Sequence, residues 1–104
     1  MKLDRWIISW IVPGLFASTA FAAEQKAKDI YQSKCQGCHG SAGHATNIGT
    51  KLGAKDFQDP NVVGMPASAL IAIIKHGKNK MPSYDGVLTT AQIRELARYI
   101  KQLK

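Results

Sequence analysis

Cys35-Gln36-Gly37-Cys38-His39 contains both cysteines of the 104-residue chain and sets a histidine directly after the second. C-x-x-C-H is the attachment signal for c-type haem. The spacing has a chemical reason. Two thiols three positions apart at a helix end can each bond to one vinyl group of the same porphyrin. The next residue, His39, then offers its imidazole to the iron. Other readings of these residues are weaker. A thioredoxin-like redox pair expects a βαβ context, which this sequence lacks. A structural zinc site would count Cys35, Cys38, His39 and His44 as four ligands, but adjacent Cys38 and His39 are awkwardly placed to reach one small ion. A Cys35–Cys38 disulfide would close a loop too small to add much stability.

The N-terminus bears on the chemistry of that pair. Lys2 and Arg5 precede an uncharged, mostly apolar run from Trp6 to Phe16, and small residues follow at Ala20 and Ala22. This order predicts a secretory signal peptide over residues 1–22, cleaved after Ala22, with one domain over residues 23–104. The competing expectation is a retained anchor, because Trp6 to Ala23 is free of charge, long enough to span a bilayer. Pro13-Gly14 in mid-run and the Ala-x-Ala site favour cleavage. Once cleaved, the chain has no stable membrane insertion, and the exported location is the periplasm. Loss of Lys2, Asp4 and Arg5 takes the net charge from +7 to +6. Nucleic-acid binding is a poor explanation of that charge in an exported protein. A domain this small has a marginal core and often needs a disulfide, metal or cofactor. Export also means an oxidising compartment, where a lone pair of thiols would not stay free.

Three helices are predicted, and no run alternates convincingly enough for a strand. In Glu24 to Lys34, Ala27, Ile30 and Tyr31 share one face. Pro66 suits the first turn of the second helix and Gly77 suits its stop, bracketing Leu70, Ile71, Ile73 and Ile74. The third is the best specified. Thr89 and Gln92 form a capping box, Leu88 can staple onto Ile93, and Ile93, Leu96, Ala97, Ile100 and Leu103 mark one apolar stripe. Between Gly40 and Met65 no period is sustained. A structureless loop of that length needs a reason inside a compact domain, and wrapping a large non-protein group supplies one.

A proximal histidine leaves one iron position open. A methionine there makes an electron-transfer centre with a raised potential. Met65 and Met81 both precede proline. Met65 leads straight into a helix, where a long apolar side chain is more often core. Met81 sits in the turn-rich stretch Lys78 to Gly86 between two helices, and is the favoured sixth ligand; the alternative for it is a thioether filling a core gap. His44 lies too close to His39 in sequence to reach the other side of the ring. His76 sits at a helix end, where a cation suits the dipole.

These features together resemble the class I c-type cytochromes, small soluble monohaem electron carriers, over residues 24–104. The resemblance rests on Ile30-Tyr31 before Cys35-Gln36-Gly37-Cys38-His39-Gly40, on Gly77 to Gly86 with Met81-Pro82, and on the final helix through Leu96 and Tyr99. It implies an all-α cytochrome c fold, with three to four short helices wrapped around one covalently bound haem c and Tyr31 packed against Tyr99. Cys35 and Cys38 would carry the haem, and His39 and Met81 would ligate its iron. The chain departs from the family in having Ala27 where a glycine eight residues before the first cysteine is usual. It also lacks a proline between His39 and Leu52, so a backbone carbonyl from Ile48 to Lys51 is expected to hold the imidazole. The implied function is a monomeric electron carrier and not an enzyme. Lys51, Lys55, Lys75, Lys78 and Lys80 would steer acidic redox partners such as an oxidase, reductase or dehydrogenase. The alternative is a haem enzyme or gas sensor with a labile sixth ligand.

Overall fold

A computed structural model of the chain describes residues 15–103, with side chains from residue 19 onward. Residues 1–14, which carry the positive n-region and most of the apolar run, lie outside the described residues. Six helices follow in order: α1 (Leu15–Lys34), α2 (Gln36–His39), α3 (Asn47–Lys51), α4 (Pro60–Val63), α5 (Ala67–His76) and α6 (Thr90–Gln102). Among the described residues extended pairing is limited to two isolated bridges, Lys78 with Met81 and Asp85 with Leu88.

Helix α1 begins nine residues before the expected start at Glu24. The added stretch is rich in alanine, the strongest helix former, and it runs unbroken through the Ala22 position. Phe21 is 71% exposed, and full burial begins at Ala27. A helical period was therefore visible only where the helix has a core to face. Ala27 is 2% exposed, so its extra methyl is accommodated where α1 packs on α6.

Helix α6 follows its sequence closely. The Thr89 hydroxyl accepts the Gln92 N–H at 3.1 Å, and the Gln92 side chain accepts the Thr89 N–H at 2.9 Å. Both members of the capping box are thus in place. Ile93, Leu96, Ala97 and Ile100 point inward and join Tyr31, Leu70, Ile74 and Leu88 in one buried cluster. Leu96 and Tyr31 are fully enclosed. Replacing Thr89 by alanine is expected to lower stability by about 0.5–2 kcal/mol. The denaturation midpoint of the haem-loaded protein measures this.

The 40–65 stretch differs from the expectation of a structureless loop. It holds α3 and α4, each about one turn long. Thr46 caps α3 by accepting the Gly49 N–H, and Asp59 caps α4 by accepting the Asn61 N–H, with Pro60 in the first turn. One turn is too short for a period to register, and the caps were not read from the sequence. Pro66 stands at the N-cap of α5, one position before the first helical residue.

Candidate functional site

The pentapeptide forms its own helical turn. Helix α1 stops at Lys34, Cys35 sits at the break, and α2 carries Cys38 and His39. Several long-range bonds fix this turn. The Tyr31 hydroxyl donates to the Gly40 carbonyl at 2.6 Å. Thr46 donates its N–H to the Cys38 carbonyl at 3.0 Å and its hydroxyl to the Gly37 carbonyl at 2.8 Å. Helix α3 comes so near that a Cβ at Gly49 would overlap the Cys38 carbonyl oxygen. Glycine is required there by close approach, whatever its backbone angles. As the resemblance implied, Tyr31 packs against Tyr99, with ring centroids 5.4 Å apart.

Cys35, Cys38 and His39 open onto a cavity of about 410 Å³. Its apolar wall includes Leu70, Ile74 and Ile100 of the core cluster. Met81 lines the same space, and so does Met65. The sequence expected Met65 to be core; it packs against the core and also borders the cavity. The other two histidines stay away. His44 is paired with Asp56, 3.5 Å apart and largely exposed. His76, at the end of α5, is exposed.

The 77–86 loop is folded firmly onto α5. Gly77 has φ 79°, and a Cβ on it would press on the Met81 carbonyl oxygen at 2.7 Å. Lys78 and Met81 exchange backbone hydrogen bonds of 3.1 and 2.9 Å. Tyr84 and Asp85 donate their N–H groups to the Ile74 and Lys75 carbonyls. The Ser83 hydroxyl reaches the Lys75 carbonyl at 2.7 Å. Met81 is thereby held at the cavity wall by backbone geometry.

The proximal side departs from expectation. The Ile48, Gly49 and Thr50 carbonyls accept N–H groups from Leu52, Gly53 and Ala54. No carbonyl from that stretch reaches His39, whose Nδ1 is buried without a partner. Phe57 stacks on the imidazole instead, with centroids 4.8 Å apart and planes 25° from parallel. Phe57 is a contributor that the sequence did not announce, since nothing in its neighbourhood marks it. Burial lowers the His39 pKa, which favours the neutral imidazole that binds metals.

Both cysteines are half-buried, and no disulfide joins them. Burial pushes the Cys35 thiol up to about 11, with the Lys34 ammonium opposing only weakly. A reactive redox pair needs the opposite shift. Among the described residues no group of three or more His, Cys, Asp or Glu side chains converges on one point, which leaves the zinc reading without its fourfold site. Haem fits what is present: two cysteines three positions apart, an imidazole and a thioether around one largely apolar cavity. Lys34, Lys55, Lys78 and Lys80 border the cavity. Lys34 was not among the lysines singled out in the sequence, while Lys51 and Lys75 lie off the rim.

Comparison with known proteins agrees with this site. Residues 22–100 match the family described as cytochrome c oxidase, cbb3-type, subunit III. The chain is 30% identical to cytochrome c6 of Nostoc sp., over 82% of its own length and 76% of that protein's. It is 33% identical to the cbb3-type cytochrome c oxidase subunit CcoP of Azospirillum brasilense, over 83% of its own length but only 30% of that subunit's. A solved structure titled KustC0563 c-type cytochrome aligns with a TM-score of 0.70 and 26% identity, over 75% of this chain and 96% of that one. No helix among the described residues is long and apolar enough to cross a membrane. The chain belongs to the matched family, and within it is a small class I c-type cytochrome that transports electrons through covalently bound haem c.

Proposed function

We propose that this cytochrome is a diffusible periplasmic carrier, with haem joined through Cys35 and Cys38 and iron held between His39 and Met81. The convergence of these four side chains on one apolar cavity carries that proposal. The haem supplies a one-electron couple at its iron. The protein's part is to keep both axial side chains in place through the redox cycle, so that little reorganises. The loop bonds around Met81 and the packing of Phe57 on His39 serve that end. The apolar wall keeps bulk water from the metal, which tunes the potential.

The lysines around the cavity mouth form the docking face for an acidic patch on an oxidase, reductase or dehydrogenase. Exposed charges of this kind act through steering, and salt screens them. The protein exported by a host competent in cytochrome maturation is expected to begin at Ala23 and to carry one haem by mass. Its rate of electron transfer to an acidic partner is expected to fall about tenfold or more from low to high ionic strength. A rate indifferent to salt would remove the lysine face from the proposal. A high-spin ferric spectrum at neutral pH would replace the carrier with a haem enzyme.

A further inference from the structure

Helix α1 ends with carbonyls that have no partner inside the helix. Tyr31's accepts the Cys35 N–H at 2.9 Å. Lys34's accepts the hydroxyl of Tyr84 at 3.1 Å, a side chain fifty positions further on. Tyr84 belongs to the Met81 loop. The loop's other bonds described above return to α5 or to the loop itself, so they fasten it to one wall. The Tyr84 bond crosses to the residue before Cys35, and Lys34, Cys35, Met81 and Tyr84 all border the cavity. Tyr84 is half-buried and packs against the core cluster.

We propose that the Tyr84 hydroxyl is a latch, tying the Met81 loop to the end of α1 and thereby setting how readily Met81 leaves the iron. This rests on Met81 being the sixth ligand. Tyr84 is a positioning residue, since its hydroxyl bonds to a backbone carbonyl of α1 and acts on Met81 through the loop. For an outside ligand to bind, the loop must open, and the apparent affinity of that ligand scales with the open fraction. Removing one neutral hydrogen bond raises that fraction about two- to tenfold. The ring itself stays packed in a Tyr84→Phe protein, so the effect isolates the hydroxyl.

Imidazole titration of the ferric haem-loaded protein tests the latch. Tyr84→Phe is expected to bind imidazole about two- to tenfold more tightly than the parent. Ala27→Gly, which weakens α1 where it packs beside Glu95 and Tyr99 of α6 and away from the loop, is expected to bind as the parent does. Equal affinity of Tyr84→Phe and parent overturns the latch. So does equal tightening in both variants, which would reflect general loosening. If Tyr84→Phe yields no haem-loaded protein, NMR of the parent decides. A slowly exchanging Tyr84 hydroxyl proton supports the latch, and exchange as fast as that of free tyrosine overturns it. A parent protein without the ferric methionine–sulfur absorption, with Met81→Ala binding imidazole no better, overturns the ligand assignment and the latch together. Failure of Tyr84→Phe alone leaves the assignment standing.

Discussion

Replacing both Cys35 and Cys38 by serine is expected to yield a colourless chain with the mass of the bare peptide and little helical circular dichroism. The reason lies in the size of what the fold surrounds. Among the described residues the buried hydrophobic set is short: nine residues, of which only Tyr31 and Leu96 are large and completely enclosed. Beside them stands a cavity of about 410 Å³. At about 24 cal/mol per Å³, an empty apolar space of that volume costs about 10 kcal/mol. Its open mouth lowers the figure, since part of the wall is already wet. Half of it still equals between a third and all of the roughly 5–15 kcal/mol that holds a small domain together. Helices α2, α3 and α4 are each about one turn, too short to persist without tertiary support. With the thioethers gone, haem is held only through the iron and the apolar wall, and it dissociates during unfolding. Each single variant keeps one thioether and is expected to retain colour with lowered stability. A double variant secreted with full helicity and parental denaturation midpoint would show that the polypeptide has a sufficient core of its own.

The parts of this fold that could be read in advance are those whose causes are local. The pentapeptide, the Thr89–Gln92 box and the Gly77 stop each act within a few residues, and each stands where the sequence put it. The parts that could not be read are long-range. Phe57 meets His39 because the 40–65 stretch folds back: the Phe57 N–H reaches the Gly43 carbonyl, and Gln58 reaches the Ala42 carbonyl. Tyr84 meets Lys34 across fifty residues. Neither partnership leaves a spacing to detect. The carbonyl expected near Ile48 to Lys51 failed for a related reason. Those groups belong to a helical turn, and such a turn spends its carbonyls on its own N–H groups and those just beyond it. The early start of α1 has another cause. Alanine serves both a cleavage signal and a helix, so the same residues support two descriptions at once.

Met81→Ala is expected to keep the fold while changing the metal. Met81 is only partly buried, and its backbone bonds to Lys78 do not depend on its side chain. The lost thioether therefore removes little packing. At the iron, loss of a methionine ligand is expected to lower the reduction potential by about 100 mV or more, a fraction of the ≈ 0.8 V range that axial ligands span. Carbon monoxide is then expected to bind the ferrous form readily, and the ferric methionine–sulfur absorption to vanish. Met65 is the necessary comparison, since it also precedes proline and also lines the cavity. Its surroundings differ. Its N–H closes the turn after α4 on the Val62 carbonyl, and Pro66 follows as the cap of α5, so its backbone is committed to joining two helices. Met65→Leu is expected to leave the potential and the ferric spectrum unchanged, with a small loss of stability from the altered packing. The reverse pattern, with Met65→Leu abolishing the sulfur absorption and Met81→Ala preserving it, would move the axial ligand from the loop to the start of α5. The Tyr84 latch would then have no ligand to hold.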